Sequence, residues 1–299
     1  MRLATYASIT SVCAVALVCA AAAVAGGPPV EALYQQLVNA NAQLRDETGQ
    51  ARGEAVVRLY RQLTADAHPC AQVAAADSNT DDLFRATAFA ELYSLEATDV
   101  DTLGCLYRTL AVSGAATDWH TRTYVGALVS VSRYAEANAL RLHAAMPSMP
   151  VLPQLEVSPA AAEPGWRMLA LKDATHAWVD AWKPAAHRAY VVAVVHPACA
   201  FSVRALSDIE QRPELKWLRD DLLLVVPPDA SLPVSGLLTW NAAHPRLPMH
   251  PMYLRSDWKA LTSLDTPTFY LVRDGQVLSS FEGWPNAAGM ATLQAAMAR

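Results

Sequence analysis

The fold class this sequence predicts is an all-helical region followed by an α/β region with a mixed sheet. Apolar residues recur at helix spacing from Val30 to Ala145, and a proline-rich break ends that pattern at Met146. After Gly165 the pattern changes to short β-branched runs alternating with helix. Of the 299 residues, 53% are hydrophobic and 17% charged, which is enough apolar material for real cores and excludes a disordered or collagen-like chain. The formal net charge is −5, from 23 basic and 28 acidic residues, with no long basic run. Nucleic acid is therefore not an expected partner, because neutralising phosphates takes clustered Lys and Arg.

Residues 1–25 read as a signal peptide. Arg2 supplies a minimal positive start, Ile9 to Ala23 is an uncharged run of mostly Ala and Val, and Ala23-Val24-Ala25 offers small residues for cleavage. The run is short for a ~20-residue span and poor in Leu, which favours cleavage over an uncleaved anchor. A lipoprotein site at Cys19 is disfavoured, since Val18 stands where Gly or Ala is expected. The mature chain is expected to be periplasmic or secreted, with no stable membrane span. Cys13 and Cys19 leave with the signal, so Cys70, Cys105 and Cys199 remain. In an oxidising compartment three cysteines point to one bridge and one thiol. A Cys70–Cys105 bridge tying two helices is the favoured pairing, worth ~3–4 kcal/mol in the chain-entropy picture. The alternative, in which one of these two resolves Cys199 across the domain interface, stays open.

The helical domain is placed at 26–146. Val30, Leu33, Tyr34 and Leu37 open it, and Val56, Val57, Tyr60 and Leu63 carry the next helix. Asp81 to Leu95 starts on an acidic pair suited to a helix N-terminus. Val100 to Val112, Trp119 to Ser130 and Tyr134 to Ala145 complete about six helices joined by short turns, as three helical hairpins. The last pair, Tyr124 through Leu140, resembles a tetratricopeptide-type hairpin, with Gly126, Ala127 and Ala137 small enough for close approach. No clean 34-residue period is found elsewhere, and an ordinary helical bundle remains the alternative. Residues 147–164 read as a Pro/Ala-rich linker.

The α/β domain is placed at 165–299. Trp166 to Leu171 reads as a strand, and Ala189 to Val195 as a buried one from its β-branched density. A helix from about Cys199 to Asp220, kinked near Pro213, leads to a buried strand at Leu222 to Val226. Thr268 to Val272 and Val277 to Phe281 form a hairpin around Asp274-Gly275, and Ala287 to Ala298 is a closing helix.

Two segments decide the functional reading: Val191-Val192-Ala193-Val194-Val195-His196-Pro197-Ala198-Cys199-Ala200-Phe201-Ser202, and Asp265-Thr266-Pro267-Thr268-Phe269-Tyr270-Leu271-Val272-Arg273-Asp274-Gly275. Together they resemble the thioredoxin fold, in particular its TlpA-like and periplasmic thiol–disulfide branches. In that family a buried strand delivers a Cys-x-x-Cys pair to a helix N-terminus, and a cis-proline that opens the last hairpin packs against the cysteines. The resemblance covers roughly 157–299 and implies Cys199 as the first motif cysteine and Pro267 as the cis-proline. The departures are Ser202 at the second cysteine, Ala193 where thioredoxin has a buried acid, and Ala198 where a Trp is common. A one-register alternative, His196-Pro197-Ala198-Cys199, is disfavoured because counting from the strand puts Cys199 on the first helical turn.

The chemistry is read from the residues as well. A thiol at a helix N-terminus faces unpaired N–H groups and the positive end of the helix dipole, which favours thiolate and lowers its pKa from ~8.5. Ser202, one turn on, is placed to donate to that thiolate and supplies no sulfur to resolve a mixed disulfide. The consequence is a monothiol mode of disulfide exchange or client holding, with protein thiols or disulfides as partners and no cofactor. The alternative is a non-catalytic adaptor whose helical domain binds a partner protein and whose thioredoxin-like domain is scaffold. Met249-His250-Pro251-Met252, with His196, offers soft ligands that suit copper. Loop packing is the preferred reading of that segment, and no metal site is expected.

Overall fold

Among the described residues six helices come first, and side chains cap the start of three of them. The computed structural model describes residues 32–67 and 78–298; the expected signal peptide and Cys70 lie outside them. The helices are α1 (Leu33–Gln43), α2 (Gly49–Leu63), α3 (Ser78–Ser94), α4 (Ala97–Val112), α5 (Asp118–Ser130) and α6 (Tyr134–His143). The Asp82 carboxylate, from α3, accepts from the backbone N–H groups of Leu33 at 2.7 Å and Tyr34 at 3.2 Å, satisfying orphan donors of α1. Thr48 Oγ1 accepts from Ala51 N–H at the start of α2. Thr117 caps α5 with His120 in the place a capping box gives to Glu. The hub is α3, which packs on α1, α2, α4 and α5. Its buried Ala86 and Ala90 let neighbours approach, while Phe84 fills the core with Leu103, Leu106 and Leu128. Among the described residues, no helix is long and apolar enough to cross a membrane.

The expected linker at 147–164 carries structure of its own, a departure from the sequence reading. It holds β1 (Gln154–Val157) and a 3-10 turn over Pro159–Ala161. β2 (Arg167–Leu171) and β3 (His176–Ala181) come next, in a three-stranded sheet of order β1-β3-β2. The sheet is laid against the helices: Leu152, Ala161, Leu169 and Val179 share one apolar cluster with Val125, Leu128, Tyr134 and Ala137. Prolines stop a helix but not a short edge strand, so the break in helical pattern was visible while the strand was not.

The rest of the chain is β4 (Ala189–Val194), α7 (Ala200–Gln211), the short α8 (Lys216–Arg219), β5 (Leu222–Val226), α9 (Val234–Ala243), β6 (Met249–Pro251), β7 (Thr268–Arg273), β8 (Gln276–Glu282) and α10 (Ala287–Met297). Five strands form a mixed sheet of order β6-β5-β4-β7-β8, in which β4, β5 and β6 run parallel and β7 and β8 antiparallel. β4 is buried on both faces, which explains its unbroken apolar run. Val191 and Ala193 pack in the cluster shared by α7, α9 and α10, while Val192 and Val194 face Trp258 and Tyr270. That second face is finished by edge-to-face contacts of Trp166 with Trp182 and Trp258, at 5.4 and 4.9 Å. A single antiparallel bridge, Met168 to Met252, links the three-stranded sheet to the residue after β6. Asp274 (φ 49°) and Gly275 (φ 75°) make the β7–β8 turn with both central residues left-handed, as the Asp-Gly signal requires.

The predicted order is the one adopted: a helical N-terminal half followed by a mixed α/β C-terminal half. The two meet within one compact unit over Ala32–Arg299. Gly126 of α5 takes part in that meeting, because a Cβ there would lie 3.0 Å from the Ala230 methyl. Its small size thus serves the α/β half and not only the neighbouring helix. Gly289 of α10 is tighter still, with a Cβ 2.4 Å from Phe281 Cβ. Gly289→Ala is therefore expected to destabilise by about 1–3 kcal/mol, as overpacking does. A denaturant midpoint that did not move would contradict this packing.

Candidate functional site

β4 ends at the centre of the sheet and delivers the chain through His196 and Pro197 to Cys199, the N-cap residue of α7. That position selects the register in which Cys199 opens the motif and Ser202 closes it. The turn is held by Cys199 N–H donating to His196 C=O at 3.0 Å and by Val203 N–H donating to Cys199 C=O at 3.0 Å. Ser202 is fully buried, and its Oγ accepts from His196 N–H at 3.2 Å. A hydroxyl that accepts there keeps its own hydrogen free to point at the thiol.

The other wall is the segment before β7. The Thr266–Pro267 peptide bond is cis, and Pro267 is buried. The Cys199 Sγ lies 3.4 Å from the Thr266 carbonyl oxygen. The segment is fixed by Thr268 Oγ1 donating to Asp265 C=O at 2.6 Å and by Gly283 N–H donating to Pro267 C=O at 2.9 Å. The structure thus places Cys199 beside Ser202 and against the Thr266 carbonyl, with Pro267 the next residue along the chain.

The electrostatics favour the thiolate. Burial works against ionisation of Cys199, but hydrogen bonds from the Thr266 side chain, from the backbone N–H and hydroxyl of Ser202 and from Phe201 N–H outweigh it, holding its pKa below the ordinary thiol value. The Thr266 carbonyl contact acts in the opposite sense, since an acceptor stabilises S–H; the donors strengthen as charge develops on sulfur. Ala193, at the place of the family's buried acid, is fully enclosed in the apolar cluster and supplies no proton relay. Two exposed apolar side chains, Phe201 and Val203, rise from the first turn of α7 beside the thiol. On the opposite side Pro197 touches α9 at Gly236. Phe201 and the Thr266 carbonyl were not singled out from sequence. A backbone oxygen leaves no residue signal, whereas a large apolar residue inside a short motif after a helix cap was a signal within reach.

Among the described residues Cys199 is the free cysteine. Cys105 sits on α4, half-buried, with Arg108 Nη2 donating to its Sγ at 3.3 Å. The expected bridge to Cys70 falls outside the described residues. The Met249-His250-Pro251-Met252 segment does not converge on a shared point. Residues three apart on extended chain face opposite ways, so Met249 packs in the cluster under α7 and α9, while Met252 packs with Trp258 on the other face. His250 Nδ1 lies 3.4 Å from the Leu169 carbonyl, and burial holds its pKa below the usual imidazole value. Among the described residues, no group of three or more His, Cys, Asp and Glu is placed to hold a metal.

No family model and no curated protein matches the chain. Among solved structures it is similar to a thioredoxin-like protein from Bacteroides caccae, with 12% identity over 91% of this chain and 96% of that one, at a TM-score of 0.30. The fold reading stands on the strand order and on the cysteine at the start of the helix that follows the central strand. The class these define is a mixed α/β region in which the helix after the central strand begins at Cys199.

Proposed function

We propose that this chain is an exported monothiol protein of thiol–disulfide exchange, acting on protein thiols or disulfides through Cys199. The observation that carries the reading is the Cys199 thiol at the start of α7, beside the Ser202 hydroxyl and against the Thr266–Pro267 segment. In the forward step the Cys199 thiolate attacks one sulfur of a client disulfide, whose S–S bond breaks as the mixed disulfide forms. The other client sulfur leaves as thiolate and takes a proton from water. Ser202 stabilises the attacking thiolate by hydrogen bonding, and Pro267 shapes the groove in which the client lies. With serine at 202 the mixed disulfide persists until an external thiol, or the client's own second thiol, attacks it. The cycle of oxidoreductase or isomerase type that results needs no cofactor.

The direct test is mass spectrometry of Cys199 adducts trapped by acid quenching in cells: client peptides disulfide-linked to Cys199 support the reading, and an unmodified thiol contradicts it. Export and a Cys70–Cys105 bridge belong to the same proposal. Thiol counting on the purified exported protein, denatured without reductant, should give one thiol per chain; three would refute the bridge. A second reading, an adaptor built on the helical half, draws on its exposed Leu92, Trp119 and Leu142. It takes the lead if Cys199 proves inert.

A further inference from the structure

The segment that carries Thr266 leads on from a second feature of the surface. One residue before Thr266, Asp265 lines a cleft of about 1130 Å³ between α2 and the end of α3 on one side and the 254–265 segment on the other. That exceeds the ~300–1,000 Å³ typical of small-ligand pockets and has room for several residues of extended chain. Its walls carry Gly49, Arg52, Leu92, Glu96, Lys259 and Asp265.

Two of the three acidic groups in these walls are already engaged. Glu54 accepts from Gln50 Nε2 at 2.9 Å and lies 3.7 Å from Arg58. Glu96 pairs with Arg61 at 3.1 Å. The Asp265 carboxylate is exposed at the mouth of the cleft near Gly49 and joins no ion pair among the described residues, so it is the one anion that the two unpaired cations have to outweigh. The Arg255 guanidinium is turned inward to the carbonyls of Trp258 and Leu261, at 2.7 and 2.8 Å. Two cations are left over: Arg52, whose buried Nε has no hydrogen-bond partner, and exposed Lys259, which joins no ion pair among the described residues. Leu92, about half exposed, adds apolar surface between them.

We infer that this cleft holds the acidic flank of the polypeptide whose disulfide Cys199 attacks, with Arg52 and Lys259 as its specificity-determining residues. The inference rests on the exchange reading above, since continuity from Cys199 through Thr266 to Asp265 is what aims a client chain into the cleft. The test uses the full exported protein with three oxidants: a disulfide-linked dimer of a peptide whose cysteine is flanked by Glu, its Lys-flanked counterpart, and neutral hydroxyethyl disulfide. At low salt the Glu peptide should be captured about tenfold faster than the Lys peptide, as charge complementarity at a binding face raises association. Lys259→Glu, a surface change, and Arg52→Glu should each abolish that preference and leave the hydroxyethyl disulfide rate unchanged. Equal rates for the two peptides, or an unmoved preference in Lys259→Glu, overturn the inference. Should hydroxyethyl disulfide fail to react, the exchange reading falls while the cleft is still judged. Fluorescence anisotropy of a Glu-flanked peptide with serine for cysteine should then show binding that Lys259→Glu weakens about tenfold, and no binding overturns it.

Discussion

Ser202→Cys should turn a protein that accumulates mixed disulfides into one that releases them. The substitution puts a second thiol one helical turn from Cys199, on a position that faces it. An intramolecular thiol acts at an effective concentration of at least ~mM, so the adduct lifetime should fall by tenfold or more at micromolar external thiol. Dithiol reduction of insulin should appear in the variant and not in the parent. Cys199→Ala should abolish adducts and activity in both backgrounds. If Ser202→Cys leaves the lifetime unchanged and gains no reduction, the thiol is not presented to disulfides, and the adaptor reading stands in its place.

The second large effect concerns stability and belongs to Glu91, on the buried face of α3. Ser130 Oγ lies 2.5 Å from its carboxyl and 2.8 Å from the Ala127 carbonyl. One hydroxyl hydrogen cannot serve both acceptors, but a protonated Glu91 can donate to Ser130 while Ser130 donates to Ala127. Burial pushes the Glu91 pKa up from 4.5 to about 7, with Ser130 opposing and the Asp99 and Asp229 charges adding to the rise. A carboxyl with a raised pKa binds more protons folded than unfolded, so its stabilisation is complete below ~4.3 and is lost as pH rises through the folded value. From pH 5 to pH 8 this group should cost roughly 3 kcal/mol of stability. Glu91→Gln keeps the shape and a donor for Ser130, and should remove that part of the pH slope while stabilising the protein at pH 8. Urea midpoints at the two pH values measure it; an identical slope in parent and variant would contradict the neutral carboxyl.

The parts of the fold that the sequence announced share a cause. β4, β5 and β7 are buried on both faces, so their apolar runs were unbroken, and the helices bury apolar residues at helix spacing. The site was legible because a cysteine at a helix cap and a Thr-Pro-Thr before a hairpin are local signals. What escaped was set by partners distant in the chain. β3 exposes Trp178 where an alternating strand would show a polar residue, and β1 lies in a stretch dominated by proline and alanine. α9 is apolar with hardly any one-sidedness, so no stripe marked it. The cleft beside Asp265 pairs residues some two hundred positions apart, and nothing local announces it.

The central claim, that the start of α7 holds Cys199 as a ready nucleophile, is tested most directly by its alkylation rate against pH. Iodoacetamide labelling, read out by peptide mass spectrometry, reports on Cys199 alone. The midpoint should lie below the ~8.5 of an ordinary thiol, and Ser202→Ala should raise it by removing one donor to the thiolate. A midpoint at or above ~8.5, unmoved by Ser202→Ala, would contradict the account.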